Sequence, residues 1–206
     1  MRKLPILGIA LGLVIALVVV VGGSGRQHSG ADTRAGAPAG NAPLAGTPAS
    51  FTYLAAQNSN RCDLQPSELL RYPDSRRLQG SCCQAMDRAT YEGQLRKLRA
   101  YAGVSAIPAN PYDIPARLAK RLLGYQRTIK LTPAQQTTYR RAMKMSSLKG
   151  PCCCHCWRWD AFQGLSNYLI ARKGWTASQV ARVIDTLEGC GGADNTSGSA
   201  HPRSST

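Results

Sequence analysis

Eight cysteines carry most of the chemistry this chain could perform: Cys62, Cys82, Cys83, Cys152, Cys153, Cys154, Cys156 and Cys190. Four of them, with His155, fill consecutive positions in Pro151-Cys152-Cys153-Cys154-His155-Cys156. Thiolates are soft ligands that select Cu(I), Zn²⁺ or iron–sulfur clusters over hard cations. The C-x-C spacings Cys152/Cys154 and Cys154/Cys156 can set two sulfurs on one side of an extended loop. They are not the C-x₂-C spacing of a zinc finger. Cys190 lies in Gly189-Cys190-Gly191-Gly192, where glycine permits close backbone approach or a positive φ. The first expectation is therefore a soft-metal site for copper(I) or zinc. Its candidate ligands are Cys82, Cys83, Cys152, Cys153, Cys154, His155, Cys156 and Cys190.

Two other chemistries compete. An even cysteine count outside the cytoplasm also suits a disulfide-stapled structural or binding domain at the cell surface. Adjacent cysteines rarely bond to each other, but Cys62, Cys82, Cys83 and Cys190 could each bridge to the 152–156 loop. A thiol–disulfide oxidoreductase is the third reading, and it lacks the C-x-x-C of a thioredoxin-like motif. No Ser/His/Asp set, phosphate loop or carboxylate pair stands out. With 11 Asp and Glu in 206 residues, candidates for acid–base work are few, so the expectation is binding rather than catalysis. Met86, Met143 and Met145 could add thioether ligands to a Cu(I) site, although Met86 reads more readily as core packing. Met143 and Met145 are two apart on a helix and cannot face the same core. Trp157, Trp159 and Trp175 read as packing around the cysteine region. Arg158 could stack on either of its flanking tryptophan rings.

Helices must position these groups. Ser81 to Tyr101 carries Met86, Tyr91, Leu95, Leu98 and Tyr101 near a 3.6-residue period. Asp113 suits an N-cap with Pro115 in the first turn, and Ile114, Leu118, Leu122, Tyr125 and Ile129 share one face. Thr132-Pro133-Ala134-Gln135 spells a capping box for a helix to about Ser146. Trp157 to Arg172 turns Phe162, Leu165, Tyr168 and Leu169 inward and stops at Gly174. Thr176 and Gln179 form a second capping box ahead of Val180, Val183, Ile184 and Leu187, with the helix ending at Gly189. A short extra turn is expected near Pro66–Tyr72, and no alternating strand is evident. The fold class is all-α, a compact domain of about five helices with a cysteine-rich loop. On this reading each cysteine group sits at a helix end. Cys82 and Cys83 open the first long helix, Cys156 leads into the fourth and Cys190 follows the last. Free amides at a helix N-terminus should then lower their thiol pKa values.

The segment Pro151-Cys152-Cys153-Cys154-His155-Cys156 resembles the P-C-Y-C-G-C signature of a family of uncharacterised extracytoplasmic bacterial proteins. The shared C-x-C-x-C core would be Cys152, Cys154 and Cys156. This chain has Cys153 where that signature has Tyr, and His155 where it has Gly. The resemblance implies an extracytoplasmic compartment and a central role for the loop, and it implies no reaction.

The ends of the chain fix its expected setting. Residues 4–23 are uncharged and largely apolar behind Arg2 and Lys3. About 20 helical residues span roughly 30 Å, the hydrocarbon thickness of a bilayer. The basic pair should stay in the cytoplasm. Residues 1–23 thus read as a membrane anchor or uncleaved signal, giving a single-pass protein with its C-terminal domain outside the cytoplasm. A cleaved secretory signal is the competing reading. Residues 24–50 are Gly, Ala, Pro, Ser and Thr-rich and read as a flexible linker. Residues 51–190 form the helical cysteine-rich domain, and 191–206 a disordered tail bearing an Asn195-Thr196-Ser197 sequon. The formal charge is +15. Its lysines and arginines are dispersed without a finger or RNA-binding pattern, which argues against nucleic acid and for anionic cell-surface polymers or lipids as partners.

Overall fold

Helix α6, Trp157–Lys173, is the axis of the fold because it is buried on nearly every side, its polar Arg158, Ser166 and Asn167 included. Trp157, Ala161, Phe162, Leu165, Leu169 and Ile170 are buried on its several faces. Such a helix has to be surrounded. The computed structural model describes residues 43–191, which belong to one compact unit. The described elements are α1 (Pro48–Ala55), α2 (Pro66–Leu69), β1 (Arg77–Gln79), α3 (Arg88–Leu98, continued by a 3-10 turn to Tyr101), β2 (Asp113–Pro115), α4 (Ala116–Thr128), α5 (Pro133–Met145), α6 and α7 (Ala177–Thr186). The described chain is mostly helical, compatible with an all-α fold. No helix among the described residues is long and apolar enough to cross a membrane. The expected anchor at 4–23, most of the linker and nearly all of the tail lie outside the described residues.

Helix α4 packs most extensively on α6. The contact is close because Gly164 presses on the backbone of Leu122 and Gln126, where any Cβ would collide. Tyr125 of α4 stacks on Tyr168 of α6 at 4.8 Å between centroids. Helix α5 starts at the expected capping box, with Thr132 Oγ1 accepting from the Gln135 amide and the Gln135 side chain accepting from the Thr132 amide. Met143 is buried while Met145 is 55% exposed, as their two-residue spacing requires. The Thr176/Gln179 box likewise opens α7. Gly174 ends α6 in the left-handed conformation (φ 66°). Asp185 of α7 accepts hydrogen bonds from the Ser146 hydroxyl (2.6 Å) and the Ser147 amide (3.0 Å). This fixes the chain just before it enters the cysteine loop.

Four expectations change. The helix expected from Ser81 begins instead at Arg88, with the Asp87 carboxylate capping it through the Thr90 amide at 2.6 Å. The reason is that the 82–87 backbone is committed elsewhere. Amides of Cys82, Gln84 and Asp87 donate to carbonyls of Gly189, Cys190 and Gly191 at 2.9, 2.9 and 2.8 Å. Asp113 to Pro115 is an antiparallel strand paired to Arg77–Gln79, with Ile114 opposite Leu78, and α4 follows it. Arg77 reaches across this pair to Asp113 and holds the register. Helix α7 ends at Thr186, before Gly189. Helix α1 also overlaps the last residues of the span read as linker. It is capped by Thr47 and docks on α3, where Tyr91 lies between Phe51 (5.9 Å) and Tyr112 (5.8 Å) and its hydroxyl meets Ser50 Oγ at 3.0 Å. Leu54, Tyr91, Leu95 and Tyr112 form this small second core, with Phe51 and Met86 packed on it.

Candidate metal centre

Four chain segments converge at the N-terminus of α6. The first carries Cys62. Its approach is set by Asn60, which is buried, donates to the Gly80 carbonyl (2.9 Å) and accepts from the Trp157 indole N–H (3.2 Å). The Trp157 amide, an orphan donor of the α6 first turn, donates to Leu64 O at 2.9 Å. The second segment is the 81–87 loop with Cys82 and Cys83. It follows Gly80, whose φ of 91° suits glycine and whose missing side chain leaves room for the Gln57 carbonyl. The third is the Cys152–Cys156 loop, in which Gly150 lies against the Trp159 ring and Cys156 is the N-cap residue of α6. The fourth is Cys190, hydrogen-bonded through its own and neighbouring carbonyls to the second segment. Both glycines flanking it are required by space. A Cβ on Gly189 would enter the Arg158 guanidinium, and one on Gly191 (φ 109°) would enter the backbone of Gln84 and Ala85.

All eight sulfurs meet in one continuous cluster. Cys62 and Cys154 are 3.2 Å apart, Cys82 and Cys83 3.5 Å, Cys82 and Cys190 3.7 Å, and Cys154 and Cys156 3.7 Å. Cys83 stands 4.0 Å from both Cys153 and Cys154. Cys153 and Cys190 are joined by a disulfide. Three sets have all their sulfurs within 4.8 Å of one another: Cys62/Cys82/Cys83/Cys154, Cys82/Cys83/Cys153/Cys190 and Cys152/Cys153/Cys154. Cys82, Cys152, Cys156 and Cys190 are buried, Cys62 and Cys154 half-buried, and Cys83 and Cys153 exposed. The cluster therefore has a closed inner side and an open outer one.

The structure brings together seven of the eight residues expected from sequence and adds Cys62. His155 stands apart. It is exposed, its ring sits 3.9 Å from that of Trp159, and it belongs to none of the three sets. The signal for Cys62 was its cysteine identity alone, since its surroundings Asn60-Arg61-Cys62-Asp63 carry no spacing motif. The expected placement of Cys82 and Cys83 at a helix start is also corrected, because they sit in the loop paired with 189–191.

Charge in the cluster is uneven. The Cys82 thiol is held far below its ordinary value, first by hydrogen bonds from Cys154 and Cys83 and also by the positive charge of Arg158, against the opposing effect of burial. Cys152 is lowered in the same way by Cys154 and Cys156 and then by Arg158. Cys154 is driven up by donating to Cys152, Cys156, Cys82 and Cys83. Cys156 is pushed up to about 12, chiefly by donating to Cys152. Lower pKa values therefore fall on Cys82 and Cys152, not on the helix-capping Cys156. The protons of the set are held by neighbours, and that outweighs the helix terminus.

Arg158 supports this distribution. Its side chain is fully buried and lies over the Phe162 ring at 4.8 Å and the Trp157 ring at 5.6 Å. It donates to the carbonyls of Pro111 (2.9 Å) and Leu187 (2.8 Å), while Nε has no hydrogen-bond partner among the described residues. These carbonyls are neutral, so the guanidinium charge remains to act on nearby thiolates. The expected stacking of Arg158 on a tryptophan is met on the Trp157 side.

The chain matches no protein-family model, no curated protein and no solved structure. The cysteine cluster has the geometry to hold a metal ion or to form disulfides.

Proposed function

We propose that this protein binds a soft metal ion, zinc or copper(I), through its converged thiolates, without catalysing a reaction. The observation that carries the reading is the sharing of neighbours. Cys154 lies within 4.0 Å of Cys62, Cys83 and Cys156. A disulfide scaffold needs each sulfur to find one partner, whereas a metal site needs three or four sulfurs around one point. With Zn–S bonds of about 2.3 Å, the edge of a tetrahedron of sulfurs is about 3.8 Å. Within Cys62/Cys82/Cys83/Cys154, where every pair of sulfurs is within 4.8 Å, the pairs Cys62/Cys154, Cys82/Cys83 and Cys83/Cys154 stand 3.2, 3.5 and 4.0 Å apart, on either side of that value. These four residues would be the ligands, and four-sulfur coordination favours zinc. Of the four, Cys82 is held low by its Cys154 and Cys83 neighbours and then by the Arg158 charge, while Cys62, Cys83 and Cys154 are pushed up, so the metal would have to displace their protons.

The proposal includes a setting. Residues 4–23 would anchor the chain in a membrane, and the cluster would face away from the cytoplasm, consistent with the likeness of Pro151–Cys156 to an extracytoplasmic signature. The remaining basic charge would suit an anionic lipid or polymer surface. A second reading, a disulfide-stapled domain, is favoured by one observation, the Cys153–Cys190 bond. Cobalt(II) titration of the full-length chain separates them. Metal binding predicts an intense thiolate-to-cobalt charge-transfer absorption that zinc displaces and that Cys154→Ser reduces. Absence of that absorption, with few titratable thiols, would favour the staple.

A further inference from the structure

Two of the three sulfur sets share the same pair of residues. Cys82 and Cys83 belong both to the set completed by Cys62 and Cys154 and to the set completed by Cys153 and Cys190. Within the second set all four sulfurs lie within 4.8 Å, and two of them are oxidised to one another. We propose that Cys82/Cys83/Cys153/Cys190 is a second metal site, closed by the Cys153–Cys190 disulfide and opened by its reduction, so that metal capacity depends on thiol redox state. This rests on the metal-binding reading of the first set.

The chemistry balances as a thiol–disulfide exchange. A dithiol reductant attacks the Cys153–Cys190 bond, Cys153 being the exposed sulfur and therefore the accessible one. The S–S bond breaks, and two electrons and two protons pass to Cys153 and Cys190. The dithiol leaves as a disulfide. A divalent ion then displaces the protons from Cys153 and Cys190 and shares the Cys82 and Cys83 thiolates with the first ion. The product is a pair of ions bridged by two sulfurs, with six cysteines as ligands. Thiolate bridging answers a charge problem as well, since a shared sulfur is neutralised by two cations instead of one. Four segments would be drawn together by it, with Cys190 held across 108 residues from Cys82. The backbone already prepares this, because amides of the 82–87 loop donate directly to the 189–191 carbonyls and hold Cys190 beside Cys82.

The test uses full-length protein in detergent, with zinc counted by native mass spectrometry before and after treatment with a phosphine. The phosphine is oxidised to its oxide with oxygen from water, and the two hydrogens go to the sulfurs. The expected result is one zinc per chain in the oxidised form and two in the reduced form, a twofold rise. Cys153→Ser, at an exposed position, should hold one zinc in both conditions, and Cys190→Ser should do the same if it folds. One zinc in the reduced wild type, with all eight thiols accounted for, overturns the second site and leaves the first standing. Two zincs with the disulfide intact overturn the redox gate. No zinc in either form overturns both.

Discussion

At the scale of single residues, the account turns on Cys154 and Arg158. Cys154 lies within 4.0 Å of sulfurs from two of the three other segments, those of Cys62 and Cys83, so Cys154→Ser should lose most of the bound metal, measured by elemental analysis, with the far-ultraviolet helical signal little changed. His155→Ala should leave metal content at the wild-type level, because His155 packs on Trp159 and not on the sulfurs. A histidine next to four cysteines invites assignment as a ligand from sequence. In the fold its ring lies against Trp159, and it joins none of the three sulfur sets. Arg158→Met removes the positive charge beside Cys82 and Cys152 and leaves the Pro111 and Leu187 carbonyls without their donors. Leaving buried acceptors unsatisfied costs about 1–3 kcal/mol each. Urea denaturation of the metal-free protein should therefore show a loss of about 2 kcal/mol or more. The variant should also need a higher pH to bind zinc, because its thiolates have lost a neighbouring cation.

At the scale of elements, the loops beside the helices determine where the sulfurs go. Asp87→Ala should cost about 1 kcal/mol through loss of the α3 cap. The Thr90 amide donating to the Asp87 carboxylate holds it below the usual carboxylate range. A depressed carboxyl contributes stability that is fully present above its unfolded value, about 3.9, and is lost as pH falls through the folded value. The difference between wild type and variant should accordingly shrink below about pH 4, as thermal melts across pH would show. Gly191→Ala forces a side chain into the Gln84 and Ala85 backbone at a φ of 109°. It should destabilise by roughly 1–3 kcal/mol and carry Cys190 out of contact with Cys82. The helices were legible because their signals are local. The Thr132 and Thr176 capping boxes and the Gly174 stop are each written within a few residues. The 82–87 and 113–115 segments were misread because their hydrogen-bond partners lie far off in sequence. Cys82 pairs with Gly189, and Leu78 with Ile114, and no periodicity announces either. The cysteine loop is recognisable as chemistry and Cys62 as a partner that could bridge to it, but nothing local marks Cys62 as a member of a four-sulfur set.

At the scale of the whole molecule, the cluster acts as a knot between distant parts of the chain. Cys62 meets Cys154 across 92 residues and Cys83 meets Cys153 across 70. A metal bound only by the folded state stabilises by linkage, about 2.7 kcal/mol at a free concentration a hundredfold above Kd. In a domain of this size that corresponds to about 5–10 °C in Tm. The central measurement is bound metal and free thiol on the same sample of full-length protein, purified without chelator and then denatured with and without one. The account predicts stoichiometric zinc or copper, with at least four thiols that become reactive only when chelator removes the metal. Metal-free protein with almost no reactive thiol in either condition would contradict it and leave a domain stapled by disulfides.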